Sequence, residues 1–166
     1  MKKLTALIAA LAIGGFAVSA QAVPGGSCGE SVTLPPGAVG MTVDTTTTTN
    51  WIGLYGGSGS SPSNDFMTTF TTGATAPTGS ITPTAASYPF AMYLLSACTP
   101  GTDASLLAAT GTVGSGINLG AVPVFANTTY WVAFTGAPLA PATANGTVTF
   151  DTPDPLPVTL QSFEIN

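Results

Sequence analysis

Histidine is absent from this 166-residue chain, and its only basic side chains are Lys2 and Lys3. A Ser or Cys nucleophile ordinarily needs a neighbouring His or Lys as base, so triad-type acyl transfer has nothing to work with beyond the first three residues. A surface without cations cannot neutralise phosphates, which excludes nucleic acid as a partner. It likewise gives an anionic membrane nothing to hold. Cysteine is almost as scarce. Cys28 and Cys98 are the only two, and two sulfurs with no histidine beside them do not make a zinc site. Charged residues are only 5% of the chain, so solubility must rest on the hydroxyl and amide groups of Thr, Ser and Asn. Low charge on its own points to disorder. An apolar fraction of 45%, with aromatics spread along the chain, points instead to a folded core.

What the chain does have begins at its N-terminus. Lys2 and Lys3 precede an apolar run from Leu4 to Val18, and Ala20-Gln21-Ala22 closes it with small residues. A charged start, a short apolar stretch and an A-x-A site make residues 1–22 a secretory signal peptide, so a secreted, extracellular destination is expected. Residues 23–152 are then expected to form one domain, and 153–166 a Pro-rich linker with a C-terminal strand. Cys28 and Cys98 both survive into such an exported product and are expected to form a disulfide.

Apolar residues recur with period two in short runs separated by Gly, Pro, Ser and Thr, the pattern of an all-β sandwich or barrel. The expected strands are 31–34, 39–43, 50–55, 66–71, 88–95, 117–125, 129–135, 146–151 and 158–165. They are rich in Thr, Val, Tyr, Phe and Trp, which suit a pleated surface. Residues 56–62 and 73–84 read as loops, and Asp103 reads as the cap of a short helical turn through Ala109. The fold class expected is a single antiparallel β-sandwich with eight or nine strands.

Alternation decides what the aromatics can do. Over 51–55, Ile52 and Leu54 fall on one face and Trp51 and Tyr55 on the other. Over 130–134, Tyr130, Val132 and Phe134 oppose Trp131. Trp51, Tyr55 and Trp131 are therefore candidates for stacking on sugar rings, against the plainer reading that large aromatics fill the core. The acids are Glu30, Asp44, Asp65, Asp103, Asp151, Asp154 and Glu164, scattered one to a loop or strand end. A hydrolase using two carboxylates is the remote reading, since the closest pair, Asp151 and Asp154, lies in the Pro-rich stretch. Asp65, Asp151 and Asp154 are candidate calcium ligands, although no spaced calcium loop is present. No other cofactor is implied. The sequons at Asn127 and Asn145 read as turn chemistry.

The run Ser87-Tyr88-Pro89-Phe90-Ala91-Met92-Tyr93-Leu94-Leu95-Ser96-Ala97-Cys98, with Asn118-Leu119-Gly120, Ala126-Asn127-Thr128-Thr129-Tyr130-Trp131-Val132-Ala133 and Asn145-Gly146-Thr147-Val148-Thr149-Phe150, resembles the bacterial pre-peptidase C-terminal domain. The resemblance covers residues 28 to 151. It implies a jelly-roll-like sandwich with an accessory role, such as binding a substrate, a polysaccharide or a cell surface, and no catalysis of its own. An alternative is a structural subunit of an extracellular filament or matrix, self-assembled through the C-terminal strand 158–165, because a surface without edge lysines offers little against strand pairing.

Overall fold

The computed structural model describes residues 22–56, 59–99 and 105–153. It places nine strands in two sheets: β1 Val32–Thr33, β2 Met41–Asp44, β3 Phe66–Thr71, β4 Ser80–Ala86, β5 Phe90–Leu95, β6 Leu106–Thr110, β7 Ile117–Asn118, β8 Thr129–Gly136 and β9 Thr147–Asp151. One sheet has the order β1-β3-β8-β5-β6 and the other β2-β9-β4-β7. Apart from β1, which runs parallel to β3, every pairing is antiparallel. The chain crosses from one sheet to the other at nearly every connection, so the eight strands β2 to β9 form a jelly roll, as the sequence led us to expect.

The inner faces make the main core. Phe70, Tyr130, Val132, Phe134, Phe90, Met92 and Leu94 of the first sheet meet Val43, Val148, Phe150, Ile81 and Ile117 of the second. Phe134 and Phe150 stack across the gap with ring centroids 4.7 Å apart. The alternation expected for 130–134 holds, with Tyr130, Val132 and Phe134 in this core and Trp131 on the opposite face. Each large side chain buried here contributes about 1.5–3 kcal/mol.

Strand β5 departs from alternation because all six of its residues are buried. Its outward residues Ala91, Tyr93 and Leu95 join Met67 and Ala133 in a second apolar layer, roofed by Ile52 and Tyr55. The long connection between β2 and β3, residues 45–65, thus folds over the outside of the first sheet. Residues 50–55 are therefore a loop, not the expected strand, with a single bridge between Leu54 and Ser60. The expected face pairing also fails there. Ile52 and Tyr55 point in together, while Trp51 and Leu54 are left 39% and 42% exposed, because the turn at Gly53 breaks the period of two.

Two strands replace expected non-strand segments. Residues 80–86, read as part of a loop, form β4; Pro83 is tolerated because the register shifts between Pro83 and Ala85, the irregularity at which proline is admitted to a sheet. The expected helical turn from Asp103 through Ala109 is overturned over its described part, where Leu106–Thr110 pairs with β5. Leu and Ala favour a helix locally, but pairing with β5 overrides propensity. The expected strand 117–125 stops at Asn118, whose side chain accepts a bond from Gly120 N and turns the chain into a short 3-10 segment. The signal segment and the strand 158–165 lie outside the described residues.

Cys28 and Cys98 are bonded, with Cα atoms 5.8 Å apart, and both pack against the second apolar layer. The bridge ties the segment before β1 to the turn after β5. Closing a loop of 70 residues stabilises the fold by about 4 kcal/mol in the chain-entropy model. Thiol titration of the denatured, unreduced protein is therefore expected to find almost no free sulfhydryl, and reduction is expected to lower the denaturation midpoint accordingly. Tyr88 offers a second check. Its hydroxyl is buried beside Thr45 without a hydrogen bond of ordinary geometry, and burial pushes its pKa up to about 12. An unsatisfied buried hydroxyl is a cost, so Tyr88→Phe is expected to melt at or above the wild-type temperature in differential scanning calorimetry.

Candidate functional site at the loop end of the sandwich

Register places the end of β2, the start of β3, the ends of β4 and β8 and the starts of β5 and β9 at one end of the sandwich. The connections 45–65, 87–89 and 137–146 gather there. The first and last of these are knitted together by uncharged groups. Thr45 N donates to Gly146 O at 2.9 Å and Leu139 N to Ser60 O at 2.9 Å. Ser63 Oγ donates to Pro141 O at 2.9 Å and Asn64 N to Asn145 Oδ1 at 3.0 Å. Two glycines permit this approach. A Cβ at Gly136 would collide with Ser63, and one at Gly146 with Ser87.

Asp65, at the foot of β3, anchors the longer loop. Its Oδ2 accepts Trp51 N at 2.7 Å and Ile52 N at 2.6 Å, and its Oδ1 accepts the Tyr55 hydroxyl at 2.8 Å. Tyr55 in turn stacks on Tyr93 of β5, with centroids 3.9 Å apart and planes within 7°. The carboxyl is fully buried. Burial raises its pKa above the ordinary carboxylate value, opposed by the bonds from Ile52 N, Thr135, Tyr55 and Trp51 N. The Tyr55 phenol is held well above its usual range, first by burial and then by the neighbouring Asp65 charge.

Between these loops lies an open cleft of about 470 Å³, lined by Asn50, Gly53, Ser60, Ser61, Pro62 and the Leu139-Ala140 pair. Its polar groups are the Asn50 amide, the Ser60 hydroxyl and backbone, the Ser61 hydroxyl being buried and bonded to Thr135, and no ionisable side chain lines it. Asn50 is held by its Nδ2, which donates to Ser61 O at 2.7 Å. Leu139 stands on the rim, 83% exposed and in the left-handed region with φ 64°. For a bulky residue this is a strained backbone, costing about 1–3 kcal/mol, and such outliers gather at ligand-contacting sites.

The residues singled out in the sequence fall apart from one another in function. Tyr55 is 1% exposed and is packed as a structural residue, so it offers no stacking face. Trp51 keeps part of its ring in solvent, and its indole N–H points at Cys28 Sγ at 3.2 Å. Trp131 is half-buried against the same layer that holds Cys28 and Cys98. Asp65 has its oxygens occupied by loop donors, and Asp151 Oδ1 accepts Gly40 N; Asp154 lies outside the described residues. Among the described residues no group of three or more His, Cys, Asp or Glu could hold a metal ion. Both sequon asparagines serve turns, Asn127 at φ 52° and Asn145 by donating its Nδ2 to Ala142 O at 2.7 Å. Sequence reasoning missed Asn50, Ser60, Ser61 and Leu139. The one available signal was that two Gly/Ser/Pro-rich stretches, 56–62 and 136–146, flank strands that pair with each other.

The anchor makes a graded prediction. Asp65→Ala strands two buried backbone N–H groups at about 1–3 kcal/mol each, whereas Asp65→Asn keeps an acceptor oxygen for both and a donor for Tyr55. Chemical denaturation is expected to show a large loss for alanine and a small one for asparagine. The wild type also has a pH signature. A folded-state pKa above the unfolded value means that the folded protein takes up this proton first, so the contribution of Asp65 to stability grows as pH falls through its folded pKa into the ordinary carboxylate range and shrinks as pH rises. With so few bases to build positive charge, the melting temperature is expected not to fall between about pH 7 and about pH 4. Light scattering is expected to rise below about pH 4 as the exposed carboxylates neutralise.

No family model, no characterised protein and no solved structure matches the chain.

Proposed function

We propose that this chain is a secreted, non-catalytic β-sandwich module that binds an uncharged ligand, a polysaccharide or a cell-surface glycan, in the cleft between the 45–65 and 137–146 loops. The cleft carries the reading. Its lining of amide, hydroxyl and backbone groups beside the apolar edges of Pro62 and Leu139 matches a neutral sugar, which presents hydroxyls at its rim and C–H groups on its ring faces. The loops are fixed in advance by their mutual hydrogen bonds, so little ordering is required on binding. Trp51, partly exposed on the same loop as Asn50 and Gly53, is the available aromatic surface nearest in sequence.

Export is supported by the signal-like residues 1–22 and by the disulfide, which suits an oxidising compartment. The non-catalytic reading is supported by the state of Asp65. It is the carboxylate nearest the loop end that burial perturbs, and its bonds commit it to holding the loop. A general acid needs a free face toward its substrate. The likeness to the pre-peptidase C-terminal domain supports an accessory role for such a module.

A neutral-glycan array, followed by affinity electrophoresis on the retained polysaccharide, tests this. Retardation is expected for the wild type and is expected to be weakened by Asn50→Ala. Leu139→Gly is expected to lose retardation while melting no lower than wild type, since it relieves a strained residue that buries almost nothing. Equal retardation of all three proteins, or none by any neutral polysaccharide, overturns the reading.

A further inference from the structure

We infer that β6 is an interface between copies of this chain: the edge of one molecule's five-stranded sheet pairs antiparallel with β6 of a second copy, about a two-fold axis. The two sheets have four edges, and three are blunted. β1 is two residues long and runs into Pro35 and Pro36, β7 is also two residues long, and β2 carries Asp44. β6 has five residues, Leu106-Leu107-Ala108-Ala109-Thr110, with neither charge nor proline, and among the described residues β5 is its only paired neighbour. A strand of that length and composition leaves alternate backbone N–H and C=O groups open on one side; the device it carries against pairing is the register shift at its start, where Leu106 and Leu107 answer Leu95 alone, and Ala108 to Thr110 beyond it run in regular register. Leu106, Leu107 and Ala108 are only partly buried, so apolar surface as well as backbone would be covered by pairing.

The occupant follows from charge and shape together. A second copy brings no like charge to this edge, because β5 and β6 hold no ionisable acid or base. Beside the edge, on the outer face of the sheet, lies a groove of about 300 Å³ lined by Ala91, Tyr93 and Ala109 and closed by Pro138. The small side chains at 91 and 109 leave the notch. With the two-fold axis between Leu107 and Ala108, Leu106 of the second copy comes opposite Ala109. Leu106 lies on the same outer face as Tyr93, and it leans over Ala109 into the notch. The two-fold axis repeats the contact, which is the self-complementary arrangement that a closed dimer requires. This inference uses neither the cleft nor its ligand and stands apart from them.

Light scattering coupled to size exclusion, run on the disulfide-bonded protein over a concentration series at neutral pH, tests it. A concentration-dependent shift from monomer to dimer mass is expected. Ala109 is exposed, so Ala109→Lys leaves the core intact and puts a long charged side chain across the notch that Leu106 of the second copy enters; it is expected to run as a monomer with an unchanged melt. Hydrogen exchange reads the same contact without a variant: amides within 106–110 are expected to gain protection as the wild-type concentration rises. Monomer mass at every concentration, a dimer that survives Ala109→Lys, or no added protection across 106–110 overturns the proposal. So does an assembly abolished by deleting 156–166 but indifferent to Ala109→Lys, since that would make the C-terminal segment the partner.

Discussion

A carboxylate with no cation to meet it sits at the centre of this fold's local energetics. Removing Asp65 from water costs several kcal/mol, and the chain offers no Lys, Arg or His within the described residues to repay it. The compensation comes from hydrogen-bond donors. Two consecutive backbone amides, Trp51 N and Ile52 N, and the Tyr55 hydroxyl converge on the two oxygens, and bonds to a charged acceptor contribute about 1.5–3 kcal/mol each. Three such bonds recover part of that cost, and burial still outweighs them, which holds the carboxyl above the ordinary carboxylate pKa. The donors lie in the middle of the loop and the acceptor is its last residue, directly before β3, so the exchange can be made only with the loop folded back over the sheet. Ile52 and Tyr55 are thereby delivered to the outer faces of Met67, Tyr93 and Ala133, and a sheet face that would otherwise lie open becomes a second core.

The disulfide and the polar ties secure the edges of that roof. Cys28 and Cys98 clamp one margin, with the Trp51 indole directed at the sulfur. The other margin is held by Leu139 N on Ser60 O and Ser63 Oγ on Pro141 O. The cleft lies along this second margin, so the same bonds that stabilise the roof also fix the geometry of the candidate site. The strained Leu139 is kept in place by its amide bond to Ser60 and by the turn that follows, in which Ala140 N donates to Ala137 O.

How far the sequence was legible depended on whether a segment's neighbours were needed to explain it. The alternation Tyr130-Trp131-Val132-Ala133-Phe134 contains its own answer, because one face meets the core whatever the details. Cys28 and Cys98 were legible by elimination, being the only cysteines. The all-β sandwich or barrel class followed from strand spacing. Leu106–Thr110 was not legible, since Leu and Ala favour a helix and only the unpaired edge of β5 makes the segment a strand. Ser80–Ala86 was hidden by Pro83, which is harmless only because of a bulge that the partner strand defines. Trp51 to Tyr55 read as a strand because the run looked apolar. Its true phase depends on Asp65, ten or more residues away in sequence, whose role nothing in its own surroundings announces. The cleft suffers the same limit twice over, because Asn50, Ser60, Ser61 and Leu139 come from two loops that only the jelly-roll register brings together.

The two outer faces of the sandwich show why binding belongs at the wrapped side. On the second sheet the outward residues are short: Thr42 on β2, Thr82 and Thr84 on β4, Thr147 and Thr149 on β9. Their hydroxyls are largely spent within the sheet. Thr42 and Thr149 bond to each other at 2.9 Å, Thr84 bonds to the backbone of residue 149, and Thr147 bonds to Ser87. A face of that kind is wettable and already satisfied, and its shallow hollow of about 220 Å³ over Ala85, Ala86, Ser87, Thr147 and Thr149 is lined by those spent hydroxyls, so a ligand would gain little there beyond what water supplies. The first sheet is different in each respect. Its loop roof creates relief, its cleft presents the Ser60 edge beside exposed carbon at Leu139, and its far edge β6 has no partner beyond β5 among the described residues. With charge nearly eliminated from the chain, recognition has to come from shape and from fixed hydroxyl and amide groups, and only the roofed sheet provides both.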